Sequence, residues 1–347
     1  MLIIYDFTPR ITIFTDNITT LESLLIYAMK TITYQSDYLG NGFEFATINQ
    51  PDDYEGKVVA TVIRKQCSMP SNKAVLYVHG FNDYFFQSEM AQKFNEKEYH
   101  FYAIDLRKYG RSTLPHHKSN NMRSLTEYFA DLDEALDIIR QEGNEQVLLS
   151  GHSTGGLLVT LYASERVGNE KFDTIFCNSP FFDMNMPKYQ KRLLIPFVAF
   201  IGKLFPKMLV PGKFSEWYGY SLHKEQKGEW EYNLNWKPHS IPAINAGWIN
   251  AIHQGHLIIK KGVMLTRPIL VMHSHQSIYS NDWNTSFFEG DAILNVKDIK
   301  QGAERILAPK RTIIEIEGGM HDLILSPLQV RERVYLDLFE WLKQTIK

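Results

Sequence analysis

The sequence predicts an α/β protein whose mostly parallel central sheet is flanked by helices. Short runs rich in β-branched and aromatic residues recur from about Val58 onward, and several are separated by stretches with helical periodicity. Apolar runs without polar alternation are typical of strands that are buried on both faces, as in parallel sheets. Strand–helix alternation places the helices over both faces of that sheet. The predicted strands are Val58–Arg64, Ala74–His79, Phe101–Leu106, Gln146–Ser150, Thr174–Asn178, Ile269–Met272 and Thr312–Glu317.

Two helices carry recognisable signals at their ends. Ser124 and Glu127 form a capping-box pattern, and Ser326 followed by Pro327 predicts an N-cap and a first-turn proline for the last helix. Apolar residues at helical spacing follow each signal. The first stripe is Leu125, Phe129, Leu132, Leu136 and Ile139, and the second is Val330, Val334, Leu338 and Trp341.

One long segment interrupts the alternation of strands and helices. Residues 181–262 separate two predicted strands and contain four of the six tryptophans. A connection of this length inside a compact domain is usually a lid or a subdomain. We therefore predict a core of residues 46–180 and 263–347, a lid at 181–262, and an N-terminal extension of unknown role at 1–45.

Within the lid, the apolar stretch 193–205 predicts a lid helix. It is interrupted by Pro196 and Lys203, and it is shorter than the roughly 20 apolar residues of a membrane span. The aromatic residues of the lid either form its own small core or line a pocket, and the sequence leaves both readings open.

The composition is that of a soluble globular protein. Of 347 residues, 44% are hydrophobic and 22% are charged, and the formal net charge is −2. Because no concentrated basic face is indicated, nucleic-acid binding is not expected. Met1–Asp6 does not resemble a signal peptide, so a cytoplasmic location is expected. Cys67 and Cys177 lie among apolar residues and are expected to be buried, while a disulfide between them stays open.

The strongest chemical signal is a serine between glycines. Gly151-His-Ser153-Thr-Gly155 comes at the end of a predicted strand, and the helical stretch 157–163 follows it. A serine on such a sharp turn exposes its Oγ, and small residues two positions away on each side let the backbone approach closely. The N-terminus of the following helix favours negative charge at the serine. We predict that Ser153 is a nucleophile.

A nucleophilic serine needs a base. Of twelve histidines, only His321 follows the last predicted strand and precedes the last helix, in a turn with two glycines. We predict that His321 is the base. His152 is expected to pack away from the pocket side of the serine turn. His273 and His275 form a His-x-His pair, but no third ligand has a suitable spacing, so neither a metal nor any other cofactor is predicted.

The base needs an acid that orients it, and this acid should follow the strand Ile269–Met272. Four acidic residues are candidates: Asp282, Glu289, Asp291 and Asp298. Asp291 leaves room for one helix and the last strand before His321, and Asp298 is expected to open that helix. Spacing alone leaves Asp282 as an alternative.

An ester or amide reaction also needs backbone N–H groups that stabilise the developing oxyanion. One donor should be the residue after the nucleophile, Thr154. The other should lie in the loop after the strand Ala74–His79, where Gly80 lets the chain turn and Phe81 follows. We predict an oxyanion hole formed by the amides of Phe81 and Thr154.

Several motifs in order resemble the α/β-hydrolase superfamily from about Asp53 to Leu342, and within it the monoacylglycerol lipase, lysophospholipase and serine-aminopeptidase-like group. The motifs are Asp53-Tyr-Glu-Gly56, His79-Gly-Phe81, Asp105-Leu-Arg107, Tyr109-Gly-Arg-Ser112, Gly151-His-Ser-Thr-Gly-Gly156, Asn178-Ser-Pro-Phe181, Asp291-Ala-Ile-Leu294 and Gly319-Met-His321. The resemblance implies Ser153 as nucleophile, Asp291 as acid and His321 as base. One departure concerns the acid: many members place it in a Gly-x-x-Asp context soon after the strand, whereas here 272–277 differs and the acid comes later.

The resemblance implies a serine hydrolase that cleaves carboxylic esters through an acyl-enzyme. A small acyl ester or lipid-like molecule is the expected substrate, with transient contact between the lid and a membrane surface; no oligomeric state is predicted. One alternative is a serine-aminopeptidase-like peptidase, whose substrate amine would bind an acidic lid residue: Glu216, Glu229 or Glu231. The other is a non-catalytic binding protein that retains the fold.

Overall fold

The computed structural model describes residues 32–210, 215–241 and 243–346. Gln35–Lys347 forms one compact unit. Most of the predicted N-terminal extension, residues 1–45, lies outside the described residues. Met1–Asp6, which is not expected to be a signal peptide, also lies outside them.

A mixed sheet forms the centre of this unit, and within the described residues it has nine strands in the order β1-β2-β3-β5-β4-β6-β7-β9-β11. The β5, β4, β6, β7, β9 and β11 strands pair in parallel, while β1, β2 and β3 extend the sheet antiparallel at one side. The short β8 and β10 form a separate parallel pair. The bounds are β1 Gln35–Ser36, β2 Glu44–Asp53, β3 Gly56–Lys65, β4 Lys73–Val78, β5 Tyr99–Asp105, β6 Gln146–His152, β7 Thr174–Asn178, β8 Val263–Met264, β9 Ile269–Ser274, β10 Ile306–Leu307 and β11 Arg311–Ile316.

Helices follow most of the parallel strands, so the predicted mostly parallel α/β architecture is confirmed. The α-helices among the described residues are α1 Ser88–Asn95, α2 Phe129–Gln141, α3 Thr154–Glu165, α4 Ile195–Leu204, α5 Trp217–Leu222, α6 Ala246–Lys261, α7 Val296–Glu304 and α8 Leu328–Thr345.

The seven predicted strands are all present, and their bounds differ by only a few residues. The sequence missed β1 and β2, so part of the predicted extension belongs to the sheet. The predicted N-cap at Ser326 is wrong. Its Oγ accepts a hydrogen bond from the Met320 N–H at 2.9 Å, and α8 begins at Leu328 without a side-chain cap. The Ser124–Glu127 capping box is present, but it precedes a 3₁₀ turn that leads into α2.

The parallel strands bring distant loops to one edge of the sheet. β4, β6, β7, β9 and β11 run in the same direction, so the segments after them leave the sheet at the same edge. The segment after β4, residues 79–87, is called the β4 loop, and the segment after β11, residues 317–327, is called the β11 loop. Together with the turn between β6 and α3, they carry the predicted site residues.

The segment 181–262, the predicted lid, contains α4, α5 and α6. A Cβ atom on Gly202 of α4 would collide with the Ala246 backbone of α6, so the two helices touch backbone to backbone. Helix α6 in turn lies on α3, where Gly255 contacts Leu157 and Leu161. None of the helices in the described part of the chain is long and apolar enough to cross a bilayer.

Candidate active site

Ser153 lies in a strained turn between β6 and α3. Its backbone has φ 52° and ψ −115°, a conformation that non-glycine residues rarely adopt. The turn is possible because its neighbours lack side chains: a Cβ on Gly151 would collide with the Gly155 backbone, and a Cβ on Gly155 with the Val78 carbonyl. The resulting turn leads directly into the N-terminus of α3.

His321 faces this serine from the β11 loop. Its Nε2 lies 3.0 Å from the Ser153 Oγ, and its Nδ1 lies 2.9 Å from the Asp291 Oδ2. The Asp291 carboxylate can only accept a hydrogen bond, so the Nδ1–H donates to Asp291 and leaves Nε2 free to accept from the serine hydroxyl. The ring is buried, as is Ser153, and the three side chains form one continuous hydrogen-bonded chain.

Asp291 reaches His321 although it comes late in the sequence. After β9 the chain makes a long excursion and returns through a parallel bridge between Ser277 and Asp291. The carboxylate is fully buried, and its Oδ1 accepts the N–H groups of Ile293 and Leu294 at 2.8 and 2.7 Å. The bridge between Ser277 and Asp291 explains how Asp291 reaches His321 although its sequence context is unusual.

The other acidic candidates lie elsewhere. Asp282 and Glu289 are exposed. Asp298 lies in the first turn of α7, as expected, and its Oδ2 forms an ion pair with Lys191 at 2.5 Å. Among the four candidates, Asp291 is the one that the structure brings to His321.

The β4 loop lies directly against the serine turn. A Cβ on Gly80 would approach the Ser153 Cβ to 3.1 Å, so only glycine leaves this contact unstrained. His79 fixes the loop: its Nε2 accepts the Leu106 N–H at 3.1 Å, and its Nδ1–H donates to the Gly80 carbonyl at 2.7 Å. Within the described chain, the backbone N–H groups of Phe81 and Thr154 have no protein acceptor.

Three aromatic rings pack against one another near the serine turn. The Phe181 N–H donates to the Ser153 carbonyl at 2.9 Å, and the Trp248 ring lies 4.6 Å from that of Phe81 and 6.4 Å from that of Phe181. Trp248 comes from the predicted lid. By contrast, Trp236 packs on Tyr84, and the Trp230 Nε1–H donates to the Leu325 carbonyl. Aromatic residues of the segment 181–262 therefore pack against the β4 and β11 loops, and Trp248 adds apolar surface next to Phe81 and Phe181.

A charged cluster behind the histidine was missed by the sequence analysis. His152 does not pack away from the site: its ring centroid lies 4.9 Å from that of His321. Its Nδ1 lies 3.7 Å from the Asp83 Oδ2 and 3.9 Å from the Asp322 Oδ2, and Asp83 also pairs with Lys237 at 2.8 Å. Two adjacencies were available as signals, His152 beside Ser153 and Asp322 beside His321, but Asp83 and Lys237 have no spacing that indicates this cluster.

The two cysteines are free and buried, so no disulfide joins them. Burial raises the pKa of the Cys177 thiol to about 12, against a weaker opposing effect of its hydrogen bond with Thr160. Cys177 is therefore an unreactive packing residue rather than a second nucleophile.

Comparison with known proteins agrees with this fold. A crystal structure of a soluble variant of monoglyceride lipase from Saccharomyces cerevisiae, in complex with a substrate analog, superposes with a TM-score of 0.62 at 16% identity, covering 91% of this chain and 95% of that one. A monoacylglycerol lipase from Paleococcus ferrophilus gives a TM-score of 0.58 at 19% identity, covering 81% and 98%. No curated protein sequence matches. These two likenesses agree with the α/β-hydrolase fold that the motifs imply.

The sequence itself matches one protein family over most of its length. The match covers residues 69–327, from just before β4 to the end of the β11 loop, and so includes the parallel strands β4–β11 and the loops that carry Ser153, Asp291 and His321, but not β1–β3. The chain therefore belongs to the hydrolase family Hydrolase_4, described as Serine aminopeptidase, S33.

Proposed function

We propose that this hydrolase cleaves carboxylic esters through a covalent acyl-enzyme on Ser153. The observation that carries the proposal is the hydrogen-bonded chain from the Ser153 Oγ through His321 to the buried Asp291, with distances of 3.0 and 2.9 Å. A serine hydroxyl is a weak nucleophile, and a base within hydrogen-bonding distance that is itself oriented by an acid activates it.

In the first half of the proposed reaction, the Ser153 Oγ attacks the ester carbonyl carbon while His321 Nε2 takes the hydroxyl proton. Asp291 holds the ring through Nδ1 and stabilises its positive form. The amides of Phe81 and Thr154 donate to the oxyanion of the tetrahedral intermediate. His321 then returns the proton to the leaving alkoxide, which departs as an alcohol and leaves an acyl ester on Ser153.

In the second half, water attacks the acyl-enzyme with His321 again acting as base. The tetrahedral intermediate collapses, the carboxylic acid leaves, and the proton returns to Ser153 Oγ. The N-terminus of α3 points at the reacting centre, so its dipole favours the oxyanion in both halves.

The apolar surroundings favour a hydrocarbon acyl group. Phe81, Phe181 and Trp248 present aromatic surface beside the serine, and burying each CH₂ of an acyl chain contributes about 0.8 kcal/mol. A peptidase reading requires a free carboxylate for the substrate amine. Of the acidic lid candidates, Glu229 pairs with Arg331 and Glu231 pairs with Lys224, and Glu216 is exposed. The pairings leave Glu216 as the candidate that a peptidase would use, and the aromatic surface favours an ester substrate instead.

A substrate panel tests the proposed function. We expect the purified protein to hydrolyse p-nitrophenyl esters. The value of kcat/KM should rise about three- to fourfold for each added CH₂ that becomes buried against the aromatic surface. We expect aminoacyl naphthylamides to remain uncleaved, and a fluorophosphonate probe to label Ser153, as located by peptide mass spectrometry. Preference for the naphthylamides would establish a peptidase instead. No turnover and no labelling would leave a non-catalytic binding protein.

We also propose that the lid contacts anionic membrane surfaces while lipid-like substrates are taken up. Helix α4 and its flanks expose large apolar side chains, including Leu193, Phe197, Phe200 and Phe205, each more than 60% exposed. The sequence has no acidic residue between Asp183 and Glu216. Four basic residues of this stretch are exposed: Lys188, Arg192, Lys203 and Lys207. Exposed apolar surface with flanking cations is typical of segments that lie in a lipid interface.

Vesicle binding checks this contact. We expect the protein to co-sediment with vesicles that contain phosphatidylserine, and less with pure phosphatidylcholine vesicles. The double variant Phe197→Ser/Phe200→Ser should weaken binding by at least about tenfold, because two rings no longer enter the interface. The matched control is Leu328→Ser/Leu336→Ser, which removes two exposed leucines from α8. Equal binding by both variants and the unaltered protein would exclude the proposed contact.

A further inference from the structure

A buried group of four charged or titratable side chains lies behind the proposed catalytic histidine. It comprises His152 from the serine turn, Asp83 from the β4 loop, Asp322 from the β11 loop and Lys237 from the lid. His152, Asp83 and Asp322 are all nine-tenths or more buried. None of the four is used in the proposed reaction.

The geometry singles out His152 within this group. Both carboxylates approach the same ring nitrogen, Nδ1, with their Oδ2 atoms at 3.7 and 3.9 Å. Their other oxygens are occupied: Asp83 Oδ1 pairs with Lys237, and Asp322 Oδ1 accepts the Asn178 Nδ2–H at 2.7 Å. Within the described residues, neither of these Oδ2 atoms nor either ring nitrogen of His152 has a hydrogen-bond partner.

Charge balance in this group favours a protonated His152. Two buried carboxylates and one ammonium leave one uncompensated negative charge, and burial of unpaired charge is costly. A proton on His152 cancels that charge. Lys237 and His152 in turn hold the pKa of Asp83 well below its ordinary value, against the raising effect of burial. For His152, burial alone would lower the pKa, yet Asp322 and Asp83 raise it above its ordinary value.

We propose that His152 is a positively charged positioning residue that, through its contact with His321, makes this base easier to deprotonate and so keeps it active at lower pH. The inference rests on the proposed role of His321 as base. Because the rings lie 4.9 Å apart in a buried site, a cation on one disfavours a second cation on the other. The two carboxylates keep the assembly neutral, so the charge is maintained without destabilising the site.

The carboxylates around the two rings favour a cation on either ring, and the other cation and the neutral groups do not reverse the sign of the effect of His152 on His321. Lys237 pairs with Asp83 Oδ1, the oxygen that does not approach His152, and the Tyr218 ring centroid lies 5.7 Å from that of His321. Burial, reinforced by Asp322, raises the pKa of Tyr218, which keeps it neutral. Burial lowers the pKa of His79, which favours its neutral form. Among the described residues, the charged and titratable groups found next to either ring are Asp83, Asp291, Asp322, Lys237, Tyr218 and Ser153, while His79 lies beside Asp83.

The pH dependence of fluorophosphonate labelling tests the proposal. The labelling rate of Ser153 rises as His321 loses its proton, so its acidic limb reports the apparent pKa of His321 without any assumption about the natural substrate. In His152→Gln the cluster becomes negative, and we expect this apparent pKa to rise by about one pH unit. Lys237→Met, which also removes a positive charge, should move it in the same direction by less.

A matched control is His256→Gln, since His256 is an equally buried histidine. Burial lowers its pKa to about 4, so the substitution changes no charge at neutral pH, and the acidic limb should not move. If the acidic limb of the labelling profile is unchanged in His152→Gln, the inference is overturned. If that variant does not fold, an unchanged acidic limb in Lys237→Met overturns it instead. Failure of the unaltered protein to label at any pH would instead overturn the proposed function.

Discussion

Replacement of Ser153 by alanine is expected to lower kcat for p-nitrophenyl ester hydrolysis by about 10⁶-fold. Removal of the Oγ leaves His321 and Asp291 without a nucleophile to activate, and members of such a unit act together rather than additively. Residual turnover should come only from the oxyanion donors and substrate binding. Steady-state rates with a saturating ester, measured alongside intact-protein mass spectrometry after fluorophosphonate treatment, check both the rate and the loss of labelling.

This variant is suited to the test because it keeps the fold. Alanine retains the Cβ atom, so the positive φ at position 153 costs both residues about the same, and the thermal midpoint should stay near that of the unaltered protein. Hydrolysis by Ser153→Ala at a rate close to the original would show that another group attacks the ester.

Replacement of Asp291 by asparagine is expected to lower kcat by about 10⁴-fold. The asparagine amide can donate toward His321 Nδ1, which favours the ring tautomer with its proton on Nε2, where it cannot accept from serine. The side chain keeps its size, and its carbonyl oxygen can still accept the Ile293 and Leu294 N–H groups. Activity measured across a range of pH distinguishes a variant in which His321 no longer acts as base at any pH from one in which it acts as base at a different pH.

Asp282→Asn is the matched control for the acid. Asp282 is the same residue type from the same excursion after β9, but it is exposed. We expect its replacement to leave kcat unchanged within about twofold, as is usual for surface positions. If Asp282→Asn lost activity and Asp291→Asn did not, the proposed acid would be wrong.

Most strands of the sheet could be predicted because buried parallel strands have the sequence pattern of short apolar runs. Val147–Leu149 and Ile269–Met272 have no polar interruption, and both are fully buried in the middle of the sheet. The β2 strand was missed for a physical reason: it lies near the edge, is only partly buried, and contains Pro51 and several polar residues. Its stability comes from pairing with β3 rather than from its own pattern.

Serine and histidine were predictable because local chemistry marks them. Glycines are required around Ser153 for steric reasons, and His321 follows the last strand in a glycine turn. No local sequence motif marks the proposed acid, Asp291. Its place depends on the bridge between Ser277 and Asp291, a tertiary contact that spacing does not encode. The contact between His152 and His321 likewise joins two residues far apart in sequence, so periodicity could not reveal it.

The backbone contact between α4 and α6 at Gly202 has a mechanical consequence. Because no side chain separates the helices at this point, a shift of α4 would change its direct backbone contact with α6. Helix α6 rests through Gly255 on α3, the helix that begins beside Ser153. A displacement of α4 is therefore expected to change the packing of α6 on α3, the helix that begins beside the proposed nucleophile Ser153.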